Sequence, residues 1–284
     1  MKQEALNISN QGEKGLSATK PSKYSEYKRR RKIMLKSQGF ITAIILLLAI
    51  WSIWGTGFNL LSLFFGTYEI LVFIFTDMFP PDLTVIGQLI GPALDTLYMS
   101  YVGMVISVVV SLVLGVLAAD NLTPHWTIAR VSRAVTAFLR SVPAVVWAII
   151  LVSGIGLGPL TGTIAIGLSG IGILGKAYAE VLESIDGAQL EGVRATGANW
   201  FQVIGQAVWP QFKAGFVSWS LYKLDMNIRE AAILGLVGAG GLGYYLQGSI
   251  NLFQYKEAAT AILMIFALIL MVEYMTAKIR ERII

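Results

Sequence analysis

The sequence predicts an all-α integral membrane protein with six transmembrane helices and both termini cytoplasmic. Three observations carry that prediction. Hydrophobic residues make up 55% of the chain and charged residues 14%, which leaves too little polar surface for a water-facing domain. Uncharged stretches recur at the length of roughly 20 residues that a helix needs to cross a bilayer. The Lys and Arg residues between them gather on alternate segments, which sets orientation because cytoplasmic loops hold these residues in excess.

Composition also removes several functions. The chain has no cysteine and a single histidine, His125, so disulfide scaffolds, thiolate sites and multi-histidine metal sites are excluded. The formal net charge is +5, yet ten of the 22 Lys and Arg residues precede Ser37, among them Lys28, Arg29, Arg30, Arg31 and Lys32. That excess is a local tail, and no nucleic-acid groove follows from it. Residues 37 to 68 carry no charge and no small-residue cleavage site, so the apolar stretch behind the tail is a retained anchor rather than a signal peptide.

In chain order, residues 1–38 are the basic cytoplasmic tail, and 39–58 hold the first transmembrane helix. The stretch 59–94 is apolar but broken by Glu69, Asp77, Asp82 and Pro80-Pro81, which places it at the periplasmic interface. A five-helix core follows over 95–276, then a short tail over 277–284. Its first helix runs over about 97–119. Residues 141–175 are uncharged and too long for one helix; the breaker run from Ser153 to Pro159, with Gly154, Gly156 and Gly158, folds them into a hairpin. The fifth span, about 216–236, carries Lys223, Asp225, Arg229 and Glu230. The sixth covers about 258–275. Arg130, Arg133, Arg194, Lys213, Lys278, Arg280 and Arg282 then fall on the side of the tail, and Lys256 alone on the other.

The cytoplasmic loop 187–210 reads as two short helices. Gly197 can adopt the left-handed conformation that closes the first, Asn199 can cap the second, and Pro210 is expected to stop its continuation. Trp200, Ile204 and Val208 recur every four residues and give the second helix an apolar stripe. Such a polar helical loop suits insertion into a cleft on a soluble partner.

The spacing from Glu191 to Gly197, then across nine residues and three more to Pro210, resembles the EAA loop of binding-protein-dependent ABC importer permeases. The opening is Glu191-Gly192-Val193 where the family has Glu-Ala-Ala, and the ending is Ala207-Val208-Trp209-Pro210 where it has Ile-x-Leu-Pro. Two further stretches, Phe138-Leu139-Arg140-Ser141-Val142-Pro143 and the run from Asn227 to Gly243, look like segments of phosphonate ABC permeases. The resemblance covers about residues 98–275 and implies a type I ABC importer permease fold. In that family the loop docks on the ATP-binding subunit, so it implies that Glu191, Arg194, Thr196, Gly197 and Pro210 couple to the ATPase. It also implies partners: a second permease chain, a homodimer being expected, two ABC ATPase subunits that bind ATP and Mg, a periplasmic or lipoprotein substrate-binding protein, and membrane lipid, with this chain itself in the bacterial inner membrane. No cofactor on this chain and no covalent chemistry is expected.

The translocation pathway or gate is assigned to Arg140, Ser141, Pro143, Asn227, Arg229, Glu230, Gly238, Gly240 and Gly241. Arg140 with Pro143 fits a broken helix lining the path or an arginine reaching the cytoplasmic surface. Asp225 can meet Arg229 one turn later, as a structural pair or beside Asn227 on an anion path. The glycines permit tight turns and close helix approach; no strand precedes them and no Lys-Ser or Lys-Thr pair follows, so they are no nucleotide loop. Lys176 can anchor at the interface and be neutralised by Glu180. The expected cargo is a phosphonate, phosphite or phosphate. An importer of another small solute, such as a methionine type, is the alternative. An ion-coupled transporter lacks its internal repeat here, a membrane enzyme lacks its catalytic constellation, and a scaffold does not explain the loop spacing.

Overall fold

A computed structural model of the chain describes residues 23–283, and among these every regular element is helical. The chain divides into two compact units, Met1–Ile70 and Leu71–Ile284. Of the predicted basic tail, residues 1–22 lie outside the described residues. In the first unit α1 (Lys23–Gly55) is one uninterrupted helix of 33 residues, so the basic stretch from residue 23 and the anchor behind it share one helix axis. Helix α2 (Leu60–Phe73) starts where Asn59 accepts a hydrogen bond from the Leu61 N–H at 2.9 Å. Large side chains such as Trp54 and Phe64 stand about 80% exposed, a surface that lipid solvates and water does not.

The second unit opens with a π turn (Ile74–Met78) and a 3₁₀ turn (Leu83–Val85). There follow α3 (Ile86–Ala118), α4 (Trp126–Ser141), α5 (Ala144–Ile155) and α6 (Pro159–Glu183). The loop helices α7 (Gly187–Ala195) and α8 (Trp200–Val203), a second π turn (Ile204–Val208), α9 (Trp209–Gly235), α10 (Gly241–Asn251) and α11 (Tyr255–Ile283) complete it. Helices α3 and α6 form the centre, and small residues let them approach: Gly103 lies against Ile166, Gly115 against Tyr178 and Gly167 against Ile106. Ser107 and Ser111 hydroxyls donate to the Gly167 and Ile171 carbonyls at 3.1 and 3.0 Å. Close backbones and interhelical hydrogen bonds replace the hydrophobic drive that lipid cannot supply. Around this pair α9 packs on both, with Met99, Ile166 and Leu234 in one core, Leu89, Ile228 and Leu268 in a second, and Tyr178, Leu182 and Phe212 in a third.

Among the described residues five helices are long and apolar enough to cross a membrane, or six if the pair α4 and α5, bent by 85°, counts as one span. The set differs from the six expected. Leu61–Met78 qualifies by length and apolarity, although its sequence was assigned to the interface. Helix α9, the expected fifth span, is 27 residues long but carries too many charges to qualify. The expected hairpin is present as α5 and α6, broken at 156–158. Counted as one span, however, the bent pair begins with α4, sixteen residues ahead of the bend. Pro143 imposes that bend by driving Val142 to φ −96°, ψ 117°, since proline crowds the α conformation of the residue before it.

One expectation is overturned locally. Pro210 does not stop the second loop helix; it sits in the first turn of α9, and the chain runs helically from Trp200 to Gly235 through the π turn. A proline is tolerated in a first turn because its missing N–H removes no needed bond, and the π turn just before it relaxes the ladder where the ring would otherwise clash.

Candidate coupling loop and translocation groups

The loop is built from local capping. Asp186 accepts from the Ala188 N–H at 3.0 Å to start α7. Gly197, at φ +82°, closes the helix, a conformation that costs a side-chain-bearing residue roughly 1–2 kcal/mol. Asn199 and Gln202 then form a reciprocal capping box, at 3.0 and 2.8 Å, that starts α8. Two long contacts fix the loop to the end of α3: Arg194 donates to the Asn121 carbonyl at 3.1 Å, and the Trp200 indole to the Leu122 carbonyl at 3.0 Å. The face turned inward is Leu190, Val203, Ala207 and Val208, so the expected stripe is shifted: Val208 belongs to it, while Trp200 stays 39% exposed. Glu191, Arg194, Thr196, Gly197 and Pro210 are all exposed. The Trp200 anchor was absent from the sequence assignment; an indole beside a capping asparagine was the available signal.

The charged groups of α9 separate into two sets. Lys223 is fully buried, and its Nζ lies 3.1 and 3.0 Å from the two carboxylate oxygens of Glu230. Between them the buried Asn227 donates through Nδ2 to the Ser100 carbonyl at 3.0 Å. On the other face Arg229 meets Asp225 at 3.0 Å, as the spacing predicted, and Glu273 of α11 at 3.3 Å. Asn227 and Arg229, grouped in the sequence reading, therefore do not share a surface. The Lys223–Glu230 pair was missed; its signal was the seven-residue interval, two turns on one helix face.

The Arg140 backbone packs against Gly172 at the centre of α6, while the residue itself is exposed. Its side chain lines a cavity of about 310 Å³ with Arg133, Thr136, Lys176, Glu180 and Glu183. Arg133 pairs with Asp120 at 2.8 Å and Glu183 at 2.6 Å, and Lys176 with Glu180 at 3.1 Å as expected. Among the described residues no carboxylate stands within 4.0 Å of Arg140. The cavity is lined by the second half of α4, the last turns of α6 and the end of α3. Ser141 is occupied locally, donating to the Ala137 carbonyl at 2.7 Å.

The glycine run lies at the other end of α9. Gly238, Gly240 and Gly241 have φ of +94°, +84° and +71°. The turn is held by the Leu242 N–H donating to Thr96 Oγ1 at 2.9 Å and the Gly158 N–H donating to the Gly238 carbonyl at 3.0 Å. It lines a cavity of about 820 Å³ whose charged residues are Asp95 and Glu257, with no Lys or Arg among the lining groups. Thus α9 physically connects the exposed loop to this glycine turn.

The comparisons with known proteins agree with this architecture. Residues 111–283 match the family described as binding-protein-dependent transport system inner membrane component. The chain is 40% identical over 205 residues to the phosphite transport system permease protein PtxC of Stutzerimonas stutzeri, covering 72% of this chain and 74% of that one. It is 37% identical over 227 residues to the phosphate-import permease protein PhnE of Mycolicibacterium smegmatis, covering 80% of this chain but 42% of the longer relative. Among solved structures, an inward-facing form of the MetNI methionine ABC transporter superposes with a TM-score of 0.63 over 72% of this chain and 99% of that one; at 19% identity it speaks to the fold alone. With more than half of its length inside the family match, the chain belongs to the binding-protein-dependent transport system inner membrane components.

Proposed function

We propose that this chain is the transmembrane permease subunit of an ATP-driven importer that carries a phosphonate-like oxyanion, whether phosphonate, phosphite or phosphate, into the cytoplasm. The observation that carries the reading is the exposed, firmly capped loop 187–210 running without a break into α9. A lever of that kind receives force from a soluble partner and passes it into the bundle. The relatives named for phosphite and phosphate transport supply the cargo class.

In this reading ATP and Mg bind on two separate ATPase subunits. Glu191, Arg194, Thr196 and Gly197 form the docking surface, and Pro210 marks where the lever enters the bundle. A binding protein delivers the oxyanion at the glycine-turn end, and a second copy of this chain completes the pathway. ATP-driven closure of the ATPases moves the loops and swings the helices between inward and outward openings. Both termini and the loop are cytoplasmic. Arg140 supplies positive charge on the path: a charged group at bilayer depth faces an aqueous cavity or a partner. The Gly238 to Gly241 turn acts as the gate.

The test is uptake by liposomes containing this chain, its ATPase and its binding protein, with labelled methylphosphonate, phosphite and phosphate. ATP-dependent uptake of one of them that needs all three proteins is the expected result. Uptake of none by a folded complex, or failure to bind an ATPase, overturns the proposal.

A further inference from the structure

Lys223 has no exposed surface and lies inside a bundle where charge is costly. Its stem is wedged at Gly170 of α6, where an added Cβ would come within 3.0 Å of Lys223 Cε. Glu230 supplies two oxygens to the ammonium, leaving one of its three N–H donors over. One turn from each lies Asn227, also with no exposed surface, and its Oδ1 has no hydrogen-bond partner among the described residues. Exchanging the amide oxygen and nitrogen would set an oxygen against the Ser100 carbonyl, so the Nδ2 bond fixes the orientation. The cluster therefore holds a spare donor and an orphan acceptor beside a carboxylate, in a setting where unmet polar groups are expensive.

We propose that Lys223 and Asn227 form a buried oxyanion site, covered at rest by Glu230, for a tetrahedral oxyanion that retains a hydroxyl group. The Glu230 carboxylate stands where two anionic oxygens of such a ligand would bind, and the ligand hydroxyl would donate to Asn227 Oδ1. Protonated phosphite, phosphonate and phosphate all offer that set; sulfate offers oxygens without the hydroxyl. Access is from the carboxylate side, since Glu230 is 20% exposed where Lys223 is not. The contact at Ser100 is one turn along α3 from Thr96, which holds the turn lining the 820 Å³ cavity. The carboxylates of that cavity, Asp95 and Glu257, repel a dianion more than a monoanion. They therefore favour the hydroxyl-bearing form that Asn227 can read.

The inference rests on the oxyanion-importer reading, and two assays separate them. The first is equilibrium binding of labelled phosphite to the wild-type permease–ATPase complex without binding protein. Saturable binding, with sulfate competing at least tenfold more weakly, is expected; no binding, or equal competition by sulfate, overturns the site. In the same assay Glu230→Gln should tighten binding at least threefold by loosening the cover. The neutral double variant Lys223→Met with Glu230→Gln should lose binding at least tenfold while keeping its melting temperature, and binding like the wild type would reduce the pair to a structural one. If that variant does not fold, the sulfate competition on wild-type protein still decides. The second assay is uptake by the full reconstituted system. Uptake without binding to the permease sinks the site alone, and absent uptake of every oxyanion sinks the function.

Discussion

Gly197, proposed above as a coupling residue, touches little. An added Cβ would meet nothing within 4 Å, yet its φ of +82° is one that side-chain-bearing residues rarely adopt. Gly197→Arg therefore stores roughly 1–2 kcal/mol of local strain and puts bulk on an exposed face. The expected outcome is normal membrane insertion and ATP hydrolysis with uptake reduced at least tenfold; normal uptake would remove the loop bend from coupling. Gly172 is the opposite case, because a methyl there would overlap the Arg140 backbone. Gly172→Ala should cost about 1–3 kcal/mol by overpacking, read as a lower melting temperature in detergent. Asp82, outside the spans, accepts from the Thr84 hydroxyl at 2.6 Å and the Thr84 N–H at 2.9 Å. Those bonds hold its carboxyl below the ordinary value of 3.8. A depressed carboxylate stabilises the fold fully above its unfolded value and loses that contribution as pH falls through the folded one. Asp82→Asn should thus melt lower than wild type at neutral pH, with the gap narrowing below pH 3.8; a gap unchanged with pH would show that the charge contributes nothing. Gly197, Asn199 and the Asp225–Arg229 pair were legible because their partners are local in sequence. Lys223 against Gly170, and Trp200 against Leu122, were not, since nothing local announces which helix lies opposite.

Among the elements, the two least legible were those that break the uniform-hydrophobicity rule. A search for uncharged runs passes over α4, because Arg130, Arg133 and Arg140 interrupt it, although its apolar residues Trp126, Val131 and Phe138 stay exposed. Pro210 misled for a related reason: proline stops a helix only when the turn before it is a regular α turn, and Ile204–Val208 is a π turn. Pro143 acts in the expected sense, with Val142 in extended geometry between α4 and α5. Pro143→Ala should relax the 85° bend. Spin labels at positions 131 and 150 should then report a broadened distance distribution, and uptake should fall severalfold while insertion persists. An unchanged distribution would show that packing against α6, rather than the proline, sets the angle.

For the whole chain, the number of crossings is tied to orientation by parity. If both the basic tail and the loop 187–210 face the cytoplasm, the segments between them must cross an even number of times. The windows Gln38–Gly55, Leu83–Ala118 and Pro159–Glu183 make four crossings when the bent α4–α5 pair counts as one span. Adding Leu61–Met78 makes five and places the tail and the loop on opposite sides, against the positive-inside pattern that both obey. With the tail and the loop on one side and the bent pair crossing once, Leu61–Met78 is expected to lie along the interface or re-enter, despite its sufficient length, and Glu69 and Asp77 at its two halves make deep burial of either end costly. The absence of cysteine from the sequence lets single-cysteine variants test this without background. Cysteines at positions 32, 199 and 280 should react with an impermeant thiol reagent only from the cytoplasmic side, and a cysteine at 254 only from outside. If position 32 is labelled from outside while 199 is labelled from inside, then Leu61–Met78 crosses, and the tail sits where its charge opposes it. If both are inside, the interfacial reading of 59–94 stands, and the length of an apolar helix has yielded to the placement of its charges.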